Sequence, residues 1–164
     1  MRNLLLLAVA LLIAAPINNA MAEEAAGVDP QYTWDLTELF PTVEAWDQAR
    51  EGVLAEFEKI EARRGTLGDS AESLYEAYRH VSDTLREAYR VYGYASLNGD
   101  EDLRVGETQE RLQLAQIMLS QFTEATAWMA PELLEAGREV IESFINDDER
   151  LAPFAFQLDD SLRN

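Results

Sequence analysis

Apolar residues recur along most of this chain at helical spacing, and no stretch alternates convincingly in the two-residue manner of a half-buried strand. After Pro41, the residues Val43, Trp46, Val53, Leu54, Phe57 and Ile60 form one stripe. Thr42 suits the N-cap, and Glu44 sits where the helix dipole favours an anion. Arg63 and Arg64 followed by Gly65 mark the stop. A connection over 66–69 leads to a second helix capped by Asp69 or Ser70. Its seam of Leu74, Tyr78, Val81, Leu85, Ala88 and Tyr92 steps alternately by four and three residues, as in a coiled coil. Asn98-Gly99-Asp100-Glu101-Asp102 predicts a turn. A third helix follows and is expected to be the longest, with Val105, Thr108, Leu112, Ala115, Leu119, Phe122, Thr126 and Met129 on its seam. Leu114, Ile117, Met118 and Trp128 widen that face enough to predict burial on two sides.

Shorter elements are expected next. Pro131 closes the third helix and opens a short one over 132–136, ended by Gly137. Another runs over 138–145, then a polar turn over 146–149, and a last helix begins at 159–163. Upstream, the segment 34–41 is expected to be extended or a single turn, pinned onto the helices by Trp34, Leu36, Leu39 and Phe40. The expected fold is all-α: an antiparallel helical bundle of about three long helices plus short trailing helices.

The first residues change the picture of where the chain goes. Arg2 precedes an unbroken apolar run from Leu4 to Ala15, then Pro16 and Asn18-Asn19 break it, and Ala20-Met21-Ala22 fits a signal-peptidase site. A membrane span needs about 20 apolar residues, so the run reads as a secretory signal rather than an anchor. The domain assignment is a signal peptide at 1–22, a flexible mature N-terminus at 23–33, and a helical domain at 34–164. That domain breaks off within an apolar element and is expected to be incomplete at its C-terminus. The expected location is periplasmic or secreted.

Thirteen Lys and Arg stand against 31 Asp and Glu, a formal net charge of −18. Such a surface argues against nucleic acid, whose phosphates need clustered basic residues. It argues equally against anionic membrane surfaces, so no membrane contact is expected after signal cleavage. The absence of cysteine excludes a thiol nucleophile, a Cys-held zinc and disulfides, and leaves stability to packing.

Candidate chemistry is sparse. The single histidine, His80, is followed by Val81-Ser82-Asp83-Thr84, so the His-Glu-x-x-His pattern that grips zinc between imidazoles one turn apart is missing. His80 reads as a helix-surface residue. Ser73 shares its helical face, but no Gly-x-Ser-x-Gly elbow presents a nucleophile. Asp100, Glu101 and Asp102 lack the glycine and glutamate placement of a calcium loop and read as a solvated turn. Asp147-Asp148-Glu149 and Asp159-Asp160 read as caps and surface charge. Tyrosines 75, 78, 89, 92 and 94 fit a core with hydroxyls at its rim better than a peptide groove. No residue is therefore assigned to catalysis, to a cofactor or to a metal.

Several motifs taken in order resemble one family. Trp34-Asp35-Leu36-Thr37-Glu38-Leu39-Phe40-Pro41, Trp46, Arg64-Gly65-Thr66-Leu67, Ser70-Ala71-Glu72-Ser73-Leu74, Tyr92-Gly93-Tyr94-Ala95 with Asp100-Glu101-Asp102, and the stretch from Phe154 to Asp160 with Leu162-Arg163 are similar to the N-terminal region of oligoendopeptidase F zinc metallopeptidases. The resemblance implies an almost wholly helical protein that cleaves short peptides in a deep channel. Its zinc would be held by a His-Glu-x-x-His helix in a C-terminal part that this chain lacks. It implies for residues 34–163 the role of a channel wall, with no cofactor here, zinc in a full-length member, and no activity alone. The implied partners are the missing catalytic region or a partner chain, and oligopeptides. The alternative is a stand-alone periplasmic helical module that binds peptides or proteins as a chaperone or inhibitor.

Overall fold

Thr42 begins the first helix as its chemistry dictates, its Oγ1 accepting the Ala45 N–H at 3.2 Å. This is seen in a computed structural model that describes residues 34–101 and 105–163. The expected signal peptide and the stretch 23–33 lie outside the described residues. Helix α1 spans Val43–Glu61, and its buried side chains Trp46, Val53 and Ile60 recur every seven residues. That spacing keeps one narrow edge against a partner helix. The partner is α2, Ala71–Glu101, which starts where Ser70 Oγ accepts the Ser73 N–H at 3.1 Å. Helix α3 spans Gly106–Thr126, and each of the three long helices packs on the other two. Trp46 reaches the far half of α2, where its indole Nε1 donates to the Val91 carbonyl at 2.8 Å. Glu56 reaches His80, nearer the start of α2, so the two helices run antiparallel.

The trailing elements are α4 (Met129–Ala136), α5 (Arg138–Asp147), a 3₁₀ segment (Glu149–Phe154) and α6 (Ala155–Ser161). They fold back over the first half of α2 and bury Leu133, Ile141, Leu151 and Leu158 there beside Leu74, Ala77 and Tyr78. A second apolar cluster fills the other end of the bundle around Trp46, Val91, Tyr94 and Met118. Among the described residues there is no strand.

The connection from α1 to α2 is held by a single carboxylate. Glu132 of α4 accepts the Gly65 N–H and the Leu67 N–H, each at 2.7 Å, one on each oxygen. Gly65 has φ +89°, which lets successive amides turn toward one anion. Arg150 adds a second clasp. It pairs with Asp148 and with Glu72 at the start of α2, and its guanidinium lies 4.4 Å from the Tyr75 ring centroid.

Several expectations need correction. Asn98 to Glu101 do not form the expected turn, because α2 continues through Glu101, and Asp102 lies outside the described residues. Gly99 faces α3, where a Cβ would be in ordinary contact, 3.6 Å from the Leu112 and Gln109 side chains. Gln109 Nε2 also donates to the Gly99 carbonyl, and Arg111 to Asn98 Oδ1, so side chains of α3 bind the residues that looked like turn formers. In consequence α2, with 31 residues, is the longest helix, and α3 has 21. Helix α3 ends at Thr126, before Pro131, and Pro131 falls in the first turn of α4, where its missing N–H costs nothing. Its buried stripe is Ala115, Met118, Phe122 and Ala125, while Leu119 is only half-buried and Ile117 is 46% exposed, so α3 is not buried on two sides. Helix α5 runs on through Asn146-Asp147, and the final helix starts at Ala155, ahead of Asp159. The segment before α1 is a single turn, with Leu39 and Phe40 amides donating to the Leu36 carbonyl. Phe40 is buried edge-on against Tyr94, whereas Trp34, expected to be pinned, is 60% exposed.

Glu132→Ala is expected to lower stability by about 2 kcal/mol, since two charge-assisted bonds to loop amides are lost together. Urea unfolding followed by circular dichroism reads this directly, and an unchanged midpoint would remove the clamp's importance. Burial pushes the Tyr78 hydroxyl up to about 12, against which a hydrogen bond with Ser161 pulls down. A pKa raised on folding gives stability that is whole below pH 10 and is lost as pH rises through about 12. Tyr78→Phe is therefore expected to flatten the alkaline loss of stability between pH 10 and 12, measured by urea midpoints across that range.

Candidate functional site

His80, expected as a helix-surface residue, is half-buried between α1 and α2. Its Nε2 lies 2.8 Å from Glu56 Oε2, and its Nδ1 is buried without a hydrogen-bond partner. The Lys59 ammonium, and after it the His80 ring, hold the Glu56 carboxyl below the usual carboxylate range. An open cavity of about 400 Å³ lies beside the pair, floored by Ala49, Gly52 and Val53 and ringed by Asp83, Thr84 and Glu87. Its carboxylates are already matched. Asp83 pairs with Arg79 and Arg86, and Glu87 pairs with Arg90. One contact, Glu56 with His80, crosses the helix seam, and the other ion pairs around the cavity lie within α1 or α2. Ser73 is tied up elsewhere, with Ser70.

The zinc implied by the resemblance can be tested against these side chains, and they do not fit it. One imidazole nitrogen is engaged by Glu56 and the other is buried. Among the described residues, no three His, Cys, Asp or Glu side chains stand together as metal ligands would.

Other cavities are also acidic. One, of about 320 Å³, joins the start of α1 to α3 and carries Glu44, Asp47, Glu107 and Glu110 around Trp46 and Arg111. Two more lie beside the clamp, with Glu132 and Glu135 in both. A fifth, of about 200 Å³, carries no charged residue at all. It runs between α2, the α3–α4 corner and α6, and is lined by Val81, Leu85, Phe122 and Met129, with Tyr78, Thr126, Gln157 and Ser161 supplying hydroxyls and an amide. Of the tyrosines, Tyr78 and Tyr94 are buried and Tyr89 is 58% exposed. Asp148 caps the 3₁₀ segment by accepting the Arg150 N–H at 3.0 Å, as its position suggested. Glu132 and Arg150 carry most of the long-range polar contacts of the trailing helices, and nothing in their own neighbourhood of the sequence signals it. The only hint is the Arg64-Gly65-Thr66-Leu67 motif, whose amides Glu132 binds.

No family model matches the chain. Individual relatives do. The chain is 29% identical over 133 residues to oligopeptidase PepF of Bacillus subtilis, covering 81% of this chain and 20% of that protein. It is 30% identical over 125 residues to the group B oligopeptidase PepB of Streptococcus agalactiae, covering 76% of this chain and 21% of that one. Among solved structures, a protein of Chlamydophila abortus described as a candidate peptidase superposes with a TM-score of 0.72 at 26% identity, over 83% of this chain and 23% of that one. The oligoendopeptidase F of Enterococcus faecium superposes with a TM-score of 0.65 at 24% identity, over 73% of this chain and 24% of that one, and so agrees in fold. The chain spans about a fifth of the length of the relatives it matches. In sequence and in fold, the chain matches an N-terminal portion of the oligoendopeptidase F family.

Proposed function

We propose that residues 34–163 form one wall of the peptide channel of an oligoendopeptidase, shaping access for short peptides while supplying no catalytic group. The observation that carries this reading is the match to oligopeptidases along four-fifths of the chain. The geometry is compatible with it: the chain's one imidazole, His80, is engaged by Glu56. A bundle whose trailing helices are tied on by Glu132 and Arg150 is suited to a wall, whose work is exclusion and positioning. The peptide-cleaving centre, with its zinc, belongs in this reading to the part of such a protein that the chain does not span.

The purified chain is expected to leave quenched fluorescent oligopeptides uncut, and chelator-sensitive turnover by it alone would refute the wall role. A chimera in which residues 34–163 replace the matching part of the Bacillus subtilis oligopeptidase is expected to cleave the same peptides and to spare a folded protein. A well-folded chimera that is inactive, or one that digests folded protein, would count against the reading.

We also propose export to the periplasm or the medium, on the strength of the charge, apolar run and small-residue site at 1–22. Mass spectrometry of the protein secreted by a bacterial host is expected to find Glu23 as the first residue. Retention of Met1 in the cell interior would overturn it.

A further inference from the structure

We propose that the uncharged groove between α2, the α3–α4 corner and α6 is the seat of a helix from the remaining four-fifths of an oligoendopeptidase, the part outside the matched region. The inference rests on the channel-wall reading and names the surface by which the wall is joined to the rest.

Three observations converge on it. The first is charge. In a chain of net charge −18, the four other cavities each carry at least two carboxylates, and this one carries none. Charged residues are depleted where a surface is to be desolvated, because burying an unpaired carboxylate costs far more than burying a methyl group. The second is an unfilled seam. Leu74, Tyr78, Val81, Leu85, Ala88 and Tyr92 of α2 have the alternating spacing of a helix that expects a helix on that side. Leu74, Tyr78 and Ala88 are buried within the bundle, but Val81, Leu85 and Tyr92 are only partly covered. Val81 and Leu85 line the groove one turn apart, opposite Phe122 and Thr126 of α3, also one turn apart. Two such ridges frame a trough of the shape that accepts a third helix's side chains.

The third observation is position. Helix α6 forms one wall through Gln157 and Ser161, and the neighbouring Phe156 is 81% exposed, the most exposed large apolar side chain described. Helix α6 thus carries both groove-lining side chains and a large exposed aromatic one, as expected of an element covered by further polypeptide in the longer relatives. Hydroxyls of Tyr78, Thr126 and Ser161 and the Gln157 amide suit uncharged polar positions flanking the apolar ridge of the incoming helix.

The test mixes the chain with the separately produced C-terminal portion of the Bacillus subtilis oligopeptidase, the part beyond the match, and follows association by sedimentation and fluorescence titration. A one-to-one complex is expected. Leu85→Asp should weaken it at least tenfold, with circular dichroism confirming that the helices persist. Phe156→Ser, at a position too exposed to disturb folding, should weaken it measurably as well. Ile117→Ser, on an exposed face away from the groove, should leave affinity unchanged. The inference is overturned if no complex forms, or if Leu85→Asp, the variant in the groove itself, binds as the parent does. It is also overturned if the chain pairs with itself through the groove, so that Leu85→Asp only turns a dimer into a monomer. The two readings fail separately: a groove-dependent complex without peptide cleavage refutes the channel wall and keeps the docking, while an active chimera indifferent to Leu85→Asp refutes the docking and keeps the wall.

Discussion

The whole arrangement hangs on the two bonds by which Glu132 holds the loop between α1 and α2. A three-helix bundle needs its first connection to turn the chain back without leaving amides bare, and Gly65 achieves the turn only by exposing N–H groups toward one point. A carboxylate from a later helix satisfies them. This fixes α4 against the bundle, and α4 in turn presents Leu133 to the cluster around Leu74 and Tyr78. Arg150 then ties the 3₁₀ segment to the start of α2, and Arg138 ties α5 to α6 through Asp159. The trailing helices are too short to persist alone, so their order derives from these contacts and from the apolar cluster they close.

The long elements were legible because their periodicity and caps agree. Thr42, Ser70 and the 46–53–60 repeat each state a local rule that the packed structure keeps. Illegible features share a different physics. Asn98-Gly99 has the composition of a turn, and what overrides it is α3, whose Gln109 donates to the Gly99 carbonyl and whose Arg111 donates to Asn98. Propensity is a weak prior against such tertiary contact. His80 looked exposed because its partner, Glu56, lies on another helix. The Glu132 clamp spans more than sixty positions of sequence, beyond any local pattern. The resemblance to oligoendopeptidase F supplied what periodicity did not, since the motif from Arg64 to Leu67 marked a loop whose geometry matters.

Trp46 shows how one side chain reads on both levels. Its place in the heptad repeat marks it as core. Its surroundings are more specific: the indole stacks near Tyr94 at 6.4 Å, donates to Val91, and lies within 6 Å of the Arg50 and Arg111 guanidiniums. Of the two cations at this indole, Arg50 pairs with Asp47 and Arg111 donates to the Asn98 amide oxygen. The basic residues are thus largely spent inside the molecule, as helix-surface ion pairs and over aromatic rings.

That distribution bears on what the surface can do. With basic groups paired, the exterior is left carboxylate-rich, which favours solubility and repels other anionic surfaces without specifying a partner. An apolar face in such a setting is informative, because charge was available and is missing from it. Most of the coiled-coil seam of α2 packs into the bundle through Leu74, Tyr78 and Ala88, while Val81 and Leu85 of the same seam line that uncharged patch. There they form, with Phe122 and Thr126, a trough between two ridges that is bounded by α6. A bundle whose described cations are mostly paired or stacked within it, and whose groove between α2, the α3–α4 corner and α6 carries no charge, is organised to be joined along that groove.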